Sequence, residues 1–318
     1  MDWTLALGAF VVGIVVGLTG MGGGALMTPM LVLLFNVNPL TAVSSDLVAS
    51  AVMKPVGSAV HIRNGTVRWD LVRWLCVGSV PAAFGGVLIL RAMGSGEDVQ
   101  NGVQRALGVA LIIAAVGLFL RSYLRLAERA KNRDGHRPAD PADTPKLTAR
   151  PIPLILIGIV GGIVVGMTSV GSGSLIIIAL MALYPLLRAN QLVGTDLVQA
   201  VPLVAAAAIG HIVFGDFELS LTGALLVGAI PGAFIGAQLS SRLPSALIRR
   251  ALAFVLMASA LKSLGVDTVI TGIVLVAVAA LAGPVWMLLR RRHGFPARPW
   301  HEAKDEKPAA EPVPSGAA

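Results

Sequence analysis

The chain alternates long apolar runs with short polar breaks. The runs fall at 3–20, 25–36, 44–62, 70–90 and 103–120, then at 152–168, 173–187, 192–212, 217–240 and 246–264, with one more at 267–290. A helix needs about 20 apolar residues to cross a hydrocarbon core of about 30 Å, and most of these runs are long enough. The run 25–36 and its counterpart after residue 173 are too short. They are expected to pair with the preceding run as a broken or re-entrant hairpin, with an uninterrupted spanning course as the alternative.

The pattern occurs twice. Gly13 to Gly24 reads GIVVGLTGMGGG and Gly162 to Gly173 reads GIVVGMTSVGSG, identical at 8 of 12 positions. Val77 to Gly86 (VGSVPAAFGG) and Val227 to Gly236 (VGAIPGAFIG) agree at 6 of 10. Between these blocks Ser45-Asp46-Leu47-Val48 matches Thr195-Asp196-Leu197-Val198, and His61 matches His211. The offset is 149 residues at first and 150 afterwards, a register that shared composition alone would not hold. A repeat at fixed spacing marks duplicated architecture. The sequence therefore predicts an all-α polytopic membrane protein. A first transmembrane repeat covers 3–120, a basic linker 121–150 and a second repeat 152–264. An extra transmembrane helix covers 267–290, and 293–318 is a disordered tail rich in Pro, Ala and charge.

Composition agrees with lipid as the solvent. Charged residues make up 13% of the chain and apolar residues 55%, where a soluble domain carries about 25% charged. The net charge of +8 does not point to nucleic acid, because the basic residues flank membrane segments, where Lys and Arg mark the cytoplasmic side. Arg121, Arg125, Arg129, Lys131, Arg133 and Arg137 place the linker in the cytoplasm. The stretch from His61 to Arg68 is basic, while its counterpart from His211 to Glu218 is acidic. Gly94 to Gln100 carries Glu97 and Asp98, while Ser240 to Arg250 carries Arg242, Arg249 and Arg250. Corresponding loops thus prefer opposite sides, as five segments per half require: the two repeats are inverted in topology. Arg290-Arg291-Arg292 then places the C-terminus in the cytoplasm. Cys76, the single cysteine, leaves no intrachain disulfide, and Met1-Asp2-Trp3 lacks the basic start of a signal peptide.

Gly-interrupted segments at matching positions of inverted repeats point to a transporter site. The interruptions are Thr19-Gly20-Met21-Gly22-Gly23-Gly24 and Thr168-Ser169-Val170-Gly171-Ser172-Gly173-Ser174. Backbone N–H groups at such breaks favour an anion, and the hydroxyls of Thr19, Thr168, Ser169, Ser172 and Ser174 add donors. The structural alternative is close packing of helices through small residues.

Ionisable residues at membrane depth are the second signal. On a helix starting near Ser44, the residues Asp46, Ser50, Lys54, Gly57 and His61 lie within about 80° of one face. Asp196, Gln199 and His211 form a comparable stripe. N-capping is the leading role for Asp46 and Asp196, with proton or ion coupling as the functional alternative. For His61 and His211, at segment ends, a structural role stands beside proton handling. Lys54, matched by Val204, either attracts an anionic substrate or pairs with Asp46. No metal-ligand spacing, nucleophile elbow or phosphate loop occurs, so neither an enzyme nor a cofactor is expected.

Gly17-Leu18-Thr19-Gly20-Met21-Gly22-Gly23-Gly24-Ala25-Leu26-Met27-Thr28-Pro29 resembles the glycine signature of the sulfite exporter TauE/SafE family. So does the continuation Ala42-Val43-Ser44-Ser45-Asp46-Leu47 with Lys54, His61 and Gly65-Thr66-Val67, and Gly194-Thr195-Asp196-Leu197 forms the weaker second copy. The likeness covers about residues 5 to 265. It implies a multi-pass permease of the cytoplasmic membrane for sulfite, sulfonates or related organic anions, driven by a proton or ion gradient. The long linker and the extra C-terminal segment exceed the compact family pattern, and Ser169 and Ser172 replace glycines of the first copy. An anion channel of the same fold, or a membrane partner protein that does not transport, are the competing readings.

Overall fold

The computed structural model describes residues 2–19, 23–94, 96–133, 148–171, 173–185, 187, 189–214, 217–239 and 245–293. Among them the secondary structure is helical throughout: α1 (Trp3–Thr19), α2 (Gly24–Leu34), α3 (Pro39–Arg63), α4 (Trp69–Met93), α5 (Glu97–Arg133), α6 (Pro151–Thr168), α7 (Leu175–Leu183), α8 (Ala189–Phe214), α9 (Leu219–Leu239), α10 (Ser245–Ser263) and α11 (Thr268–Arg292).

Among the described residues six stretches are long and apolar enough to cross a bilayer: Trp69–Met93, Glu97–Leu120, Pro151–Thr168, Gln191–Phe214, Leu219–Gly236 and Thr268–Arg292. This is a multi-pass membrane protein. At 11 and 9 residues, α2 and α7 rise only about 14–16 Å, roughly half the hydrocarbon thickness. α3 has the length to cross but not the apolarity, because it carries Ser44, Ser45, Asp46, Ser50, Lys54 and Ser58, all buried. The outer surface is apolar. Leu7 and Val11 of α1, Phe234 of α9 and Ile273 and Val276 of α11 are exposed, as lipid-facing positions should be.

Two helix starts differ from expectation. α3 begins at Pro39, where the Asn38 side chain accepts a 3.0 Å hydrogen bond from the Leu40 N–H. An Asn cap followed by proline at the first helical position is a strong start signal. α8 begins at Ala189. Asp46 and Asp196 are therefore each the eighth residue of their helix, and the N-capping role is overturned for both. Residues 121–133, expected in the linker, instead continue α5 to Arg133. Their Leu, Ala, Glu, Arg and Lys residues are good helix formers.

Helices of one half pack mainly on helices of the other. α1 lies along α9, α4 along α6, α3 against α8 and α5 against α10, while α2 touches α10 and α7 touches α5. Exchanging the halves converts each of these pairings into another of the set or into itself. In α9, Gly228, Gly232 and Gly236 back onto the carbonyls of Ala6, Phe10 and Ile14. In α6, Gly158, Gly162 and Gly166 back onto those of Leu75, Ser79 and Ala83. No side chain fits between these backbones, the close approach that small residues allow within membranes. Numbers rise together in both pairs, so α1 and α9 are parallel, as are α4 and α6. α3 and α8 run antiparallel. Ser44 meets His211, Ser58 Oγ donates to the Leu197 carbonyl at 3.0 Å, and His61 lies against Gly194.

Candidate functional site

Gly24, at the end of the first glycine run, meets Ser169 of the second run in the interior. α6 ends at Thr168, and Ser169 takes the left-handed conformation (φ 59°) while its N–H caps the Val165 carbonyl. The Ser169 carbonyl lies directly on Gly24, the first residue of α2, where a Cβ would collide with it. A glycine is required at position 24 by contact between the halves.

Asp46 stands at this junction, 1% exposed. Its Oδ2 accepts hydrogen bonds from Thr28 Oγ1 on α2 and from Ser169 Oγ beyond α6, both at 2.7 Å. Its Oδ1 has Ser50 Oγ at 3.5 Å, one turn along α3. Gly23 faces the same oxygen: a Cβ built there would stand 3.8 Å from Asp46 Oδ1 and 3.8 Å from Ser50 Oγ. One carboxylate thus joins α3, the start of α2 and the end of α6. Buried charge survives in apolar surroundings only when hydrogen-bonded or paired, and both hydroxyls serve that need.

Lys54, two turns beyond Asp46, is buried as well. Its ammonium lies within electrostatic reach of the Asp196 and Asp46 carboxylates. Asp196, on α8, is also buried. Among the described residues this places one cation beside two carboxylates, one from each half.

His211 sits elsewhere. It is 1% exposed, with Nε2 2.8 Å from the Gly166 carbonyl and Nδ1 2.8 Å from Ser44 Oγ. Gly166 belongs to the last turn of α6, whose carbonyls lack helical partners, so Nε2–H donates to one of them. His61 is half-buried at the end of α3, its Nδ1 2.9 Å from Thr66 Oγ1. The reciprocity is close: His211 contacts Ser44, two residues before Asp46, and His61 contacts Gly194, two residues before Asp196.

Thr168 turns inward on its own helix. Its Oγ1 donates to the Val164 carbonyl at 2.6 Å and accepts from the Val170 N–H at 3.2 Å. Gly171 and Gly173 have φ of 134° and 125°, conformations that only glycine adopts readily. Thr19 closes α1, but its side chain lies outside the described residues, as do Gly22 and Ser172. Gln199 lies buried on α8, its Nε2 donating to Ser79 Oγ at 2.6 Å. The sequence reading missed Thr28. Its only signal is a lone hydroxyl in the run from Ala25 to Leu34, four residues after the glycines.

Comparison with known proteins adds a family to this geometry. A family model described as sulfite exporter TauE/SafE matches residues 5–263. The probable membrane transporter protein YjnA of Bacillus subtilis (strain 168) is 37% identical over 263 residues, covering 82% of this chain and 99% of that protein. The probable membrane transporter protein YdhB of the same organism is 26% identical over 245 residues, 76% of this chain and 92% of its own length. No solved structure matches the chain. A duplicated set of membrane helices, joined at two glycine breaks around buried Asp46 and matched along nearly all of its transmembrane length, belongs to the sulfite exporter TauE/SafE family.

Proposed function

We propose that this protein is a secondary transporter of small anions, with sulfite, sulfonates and related organic anions as its substrate class, working by alternating access. The observation that carries the reading is the buried junction where Ser169 of one break bonds Asp46 beside the other break. Inverted-repeat transporters place substrate between interrupted helices near mid-membrane. The antiparallel course of α3 and α8, which are equivalent members of the two repeats, supports an inverted topology. The basic linker and Arg290 to Arg292 support a cytoplasmic linker and C-terminus.

In this reading the substrate lies along the breaks, against Thr19, Gly22, Gly23 and Gly24 from the first half. Thr168, Ser169, Gly171, Ser172 and Gly173 supply the second half, with Lys54 as the attracting charge. Asp46 and Asp196 hold the coupling ion, and His61 and His211 brace the helices that move. When all three charges of the Lys54 cluster are ionised, they sum to one negative charge. An anion entering beside them needs a cation to enter too, which favours coupled transport over a passive pore.

Counterflow in liposomes tests the proposal. Purified protein loaded with unlabelled sulfite should accumulate labelled sulfite transiently, and competing sulfonates should suppress it. Flux without counterflow or saturation would indicate a channel, and no anion flux in vesicles holding folded protein would remove the assignment.

A further inference from the structure

We infer that Asp46 Oδ1 and Ser50 Oγ form the open face of a sodium site, which Gly23 leaves uncovered by lacking a side chain. The inference deepens the ion-coupling part of the transport reading and rests on it for its purpose. Its test does not depend on transport.

The two oxygens of the Asp46 carboxylate are treated differently. Oδ2 is saturated by two hydroxyl donors at 2.7 Å. Among the described residues Oδ1 has only the Ser50 hydroxyl, with Oγ at 3.5 Å, well beyond the roughly 2.5–3.0 Å of a good O–H···O bond. That separation suits two oxygens ligating one ion. Calcium binds oxygen at about 2.3–2.6 Å, and sodium has nearly the same radius. Two such bonds set 3.5 Å apart meet at about a right angle, ordinary for a hard cation. The donors here are carboxylate and hydroxyl oxygens, the hard ligands that alkali and alkaline-earth ions take.

Gly23 and Gly24 differ in kind. At Gly24 a Cβ would collide with the Ser169 backbone, so that glycine is structural. At Gly23 the nearest atom to a Cβ would be Met27 Cγ at 3.5 Å, with Asp46 Oδ1 and Ser50 Oγ both at 3.8 Å. Packing therefore tolerates alanine at position 23, yet its methyl would cover the face that the two oxygens present. The sequence does not repeat these hydroxyl partners around Asp196. The positions equivalent to Thr28 are Ile177 and Ile178, that of Ser169 is Gly20, and that of Ser50 is Ala200. The hydroxyl set that frames the carboxylate therefore belongs to the aspartate of the first half.

Thermal unfolding of the full chain in detergent, in sodium chloride against choline chloride at equal ionic strength and pH, tests the inference. A ligand that binds only the folded state raises the melting temperature saturably. Sodium should do so for the wild type. Gly23→Ala and Ser50→Ala should raise the half-saturating sodium concentration on the order of tenfold, and in choline Gly23→Ala should melt with the wild type. Gly223→Ala, in open space on α9, should respond like the wild type. Equal melting in the two salts overturns the site, and so does an unchanged sodium response in both Gly23→Ala and Ser50→Ala. Counterflow that depends on pH and not on sodium overturns it in favour of a proton on Oδ1. Anion counterflow without a sodium response removes the sodium site alone, whereas a sodium response without any anion counterflow removes the transport reading and leaves the site.

Discussion

Ser169 Oγ donates a 2.7 Å hydrogen bond to Asp46 Oδ2 across 123 positions of sequence, tying the break of one half to the charged helix of the other. Ser169 makes it from a left-handed backbone, a conformation that costs a non-glycine residue roughly 1–2 kcal/mol. Ser169→Ala keeps the backbone cost and loses the bond, so it should destabilise by about 1–3 kcal/mol. Ser169→Gly loses the same bond but relieves the backbone, and should be less destabilising than the alanine variant by about 1 kcal/mol. Melting temperatures in detergent would rank the two. Alanine equal to or better than glycine would mean that backbone strain does not matter at this position, and alanine equal to the wild type would mean that the bond does not.

The glycine stripes predict a sharper contrast. Gly232 backs onto the Phe10 carbonyl and Gly162 onto the Ser79 carbonyl with no room for a methyl, whereas Gly223 and Gly272 face open space. Gly232→Ala and Gly162→Ala should each cost about 1–3 kcal/mol, the range for overpacking. Gly223→Ala and Gly272→Ala should be neutral or slightly stabilising, since alanine is the better helix former. The readout is the loss of folded, monodisperse protein on heating.

Much of this arrangement is legible in the sequence because duplication writes it twice. The short segments emerge as α2 and α7, and the stripe of Asp46, Ser50 and Lys54 lies buried on α3. The start of α3 lies ahead of its apolar run because Asn38-Pro39 sits in a polar gap that hydropathy assigns to a loop, although it carries an Asn cap and a proline. The junction itself was not legible. No local pattern indicates that Thr28 on α2 and Ser169 after α6 converge on one oxygen of Asp46, because that convergence comes from packing between the halves. His211 was legible as a buried ionisable residue, but not as the donor that closes the end of α6.

The two histidines should separate accordingly. His211→Phe leaves the buried Gly166 carbonyl without its donor and removes the partner of Ser44, an expected loss of about 1–3 kcal/mol. His61 is half-buried at a helix end, where water can replace Thr66, so His61→Ala should cost less than about 1 kcal/mol. Melting curves of the two variants check the order. A His211 variant as stable as the wild type would argue that the histidine is kept for proton handling rather than for bracing α6.

Lys54 gives the most demanding test, because removing one member of a buried charge cluster differs from removing a balanced pair. Lys54→Met would leave Asp46 and Asp196 buried together without their shared cation. Breaking a buried pair in this way costs about 3–5 kcal/mol. Lys54→Met combined with Asp196→Asn removes one charge of each sign and should recover much of that loss, leaving Asp46 with its Thr28 and Ser169 donors. The pair should therefore be strongly non-additive in melting temperature, the signature of contact within one network. Transport should not follow stability. If Lys54 also attracts the anion, the double variant folds but shows no counterflow of sulfite. If it serves only to neutralise the aspartates, counterflow returns with the fold, and the anion must be held by the breaks alone.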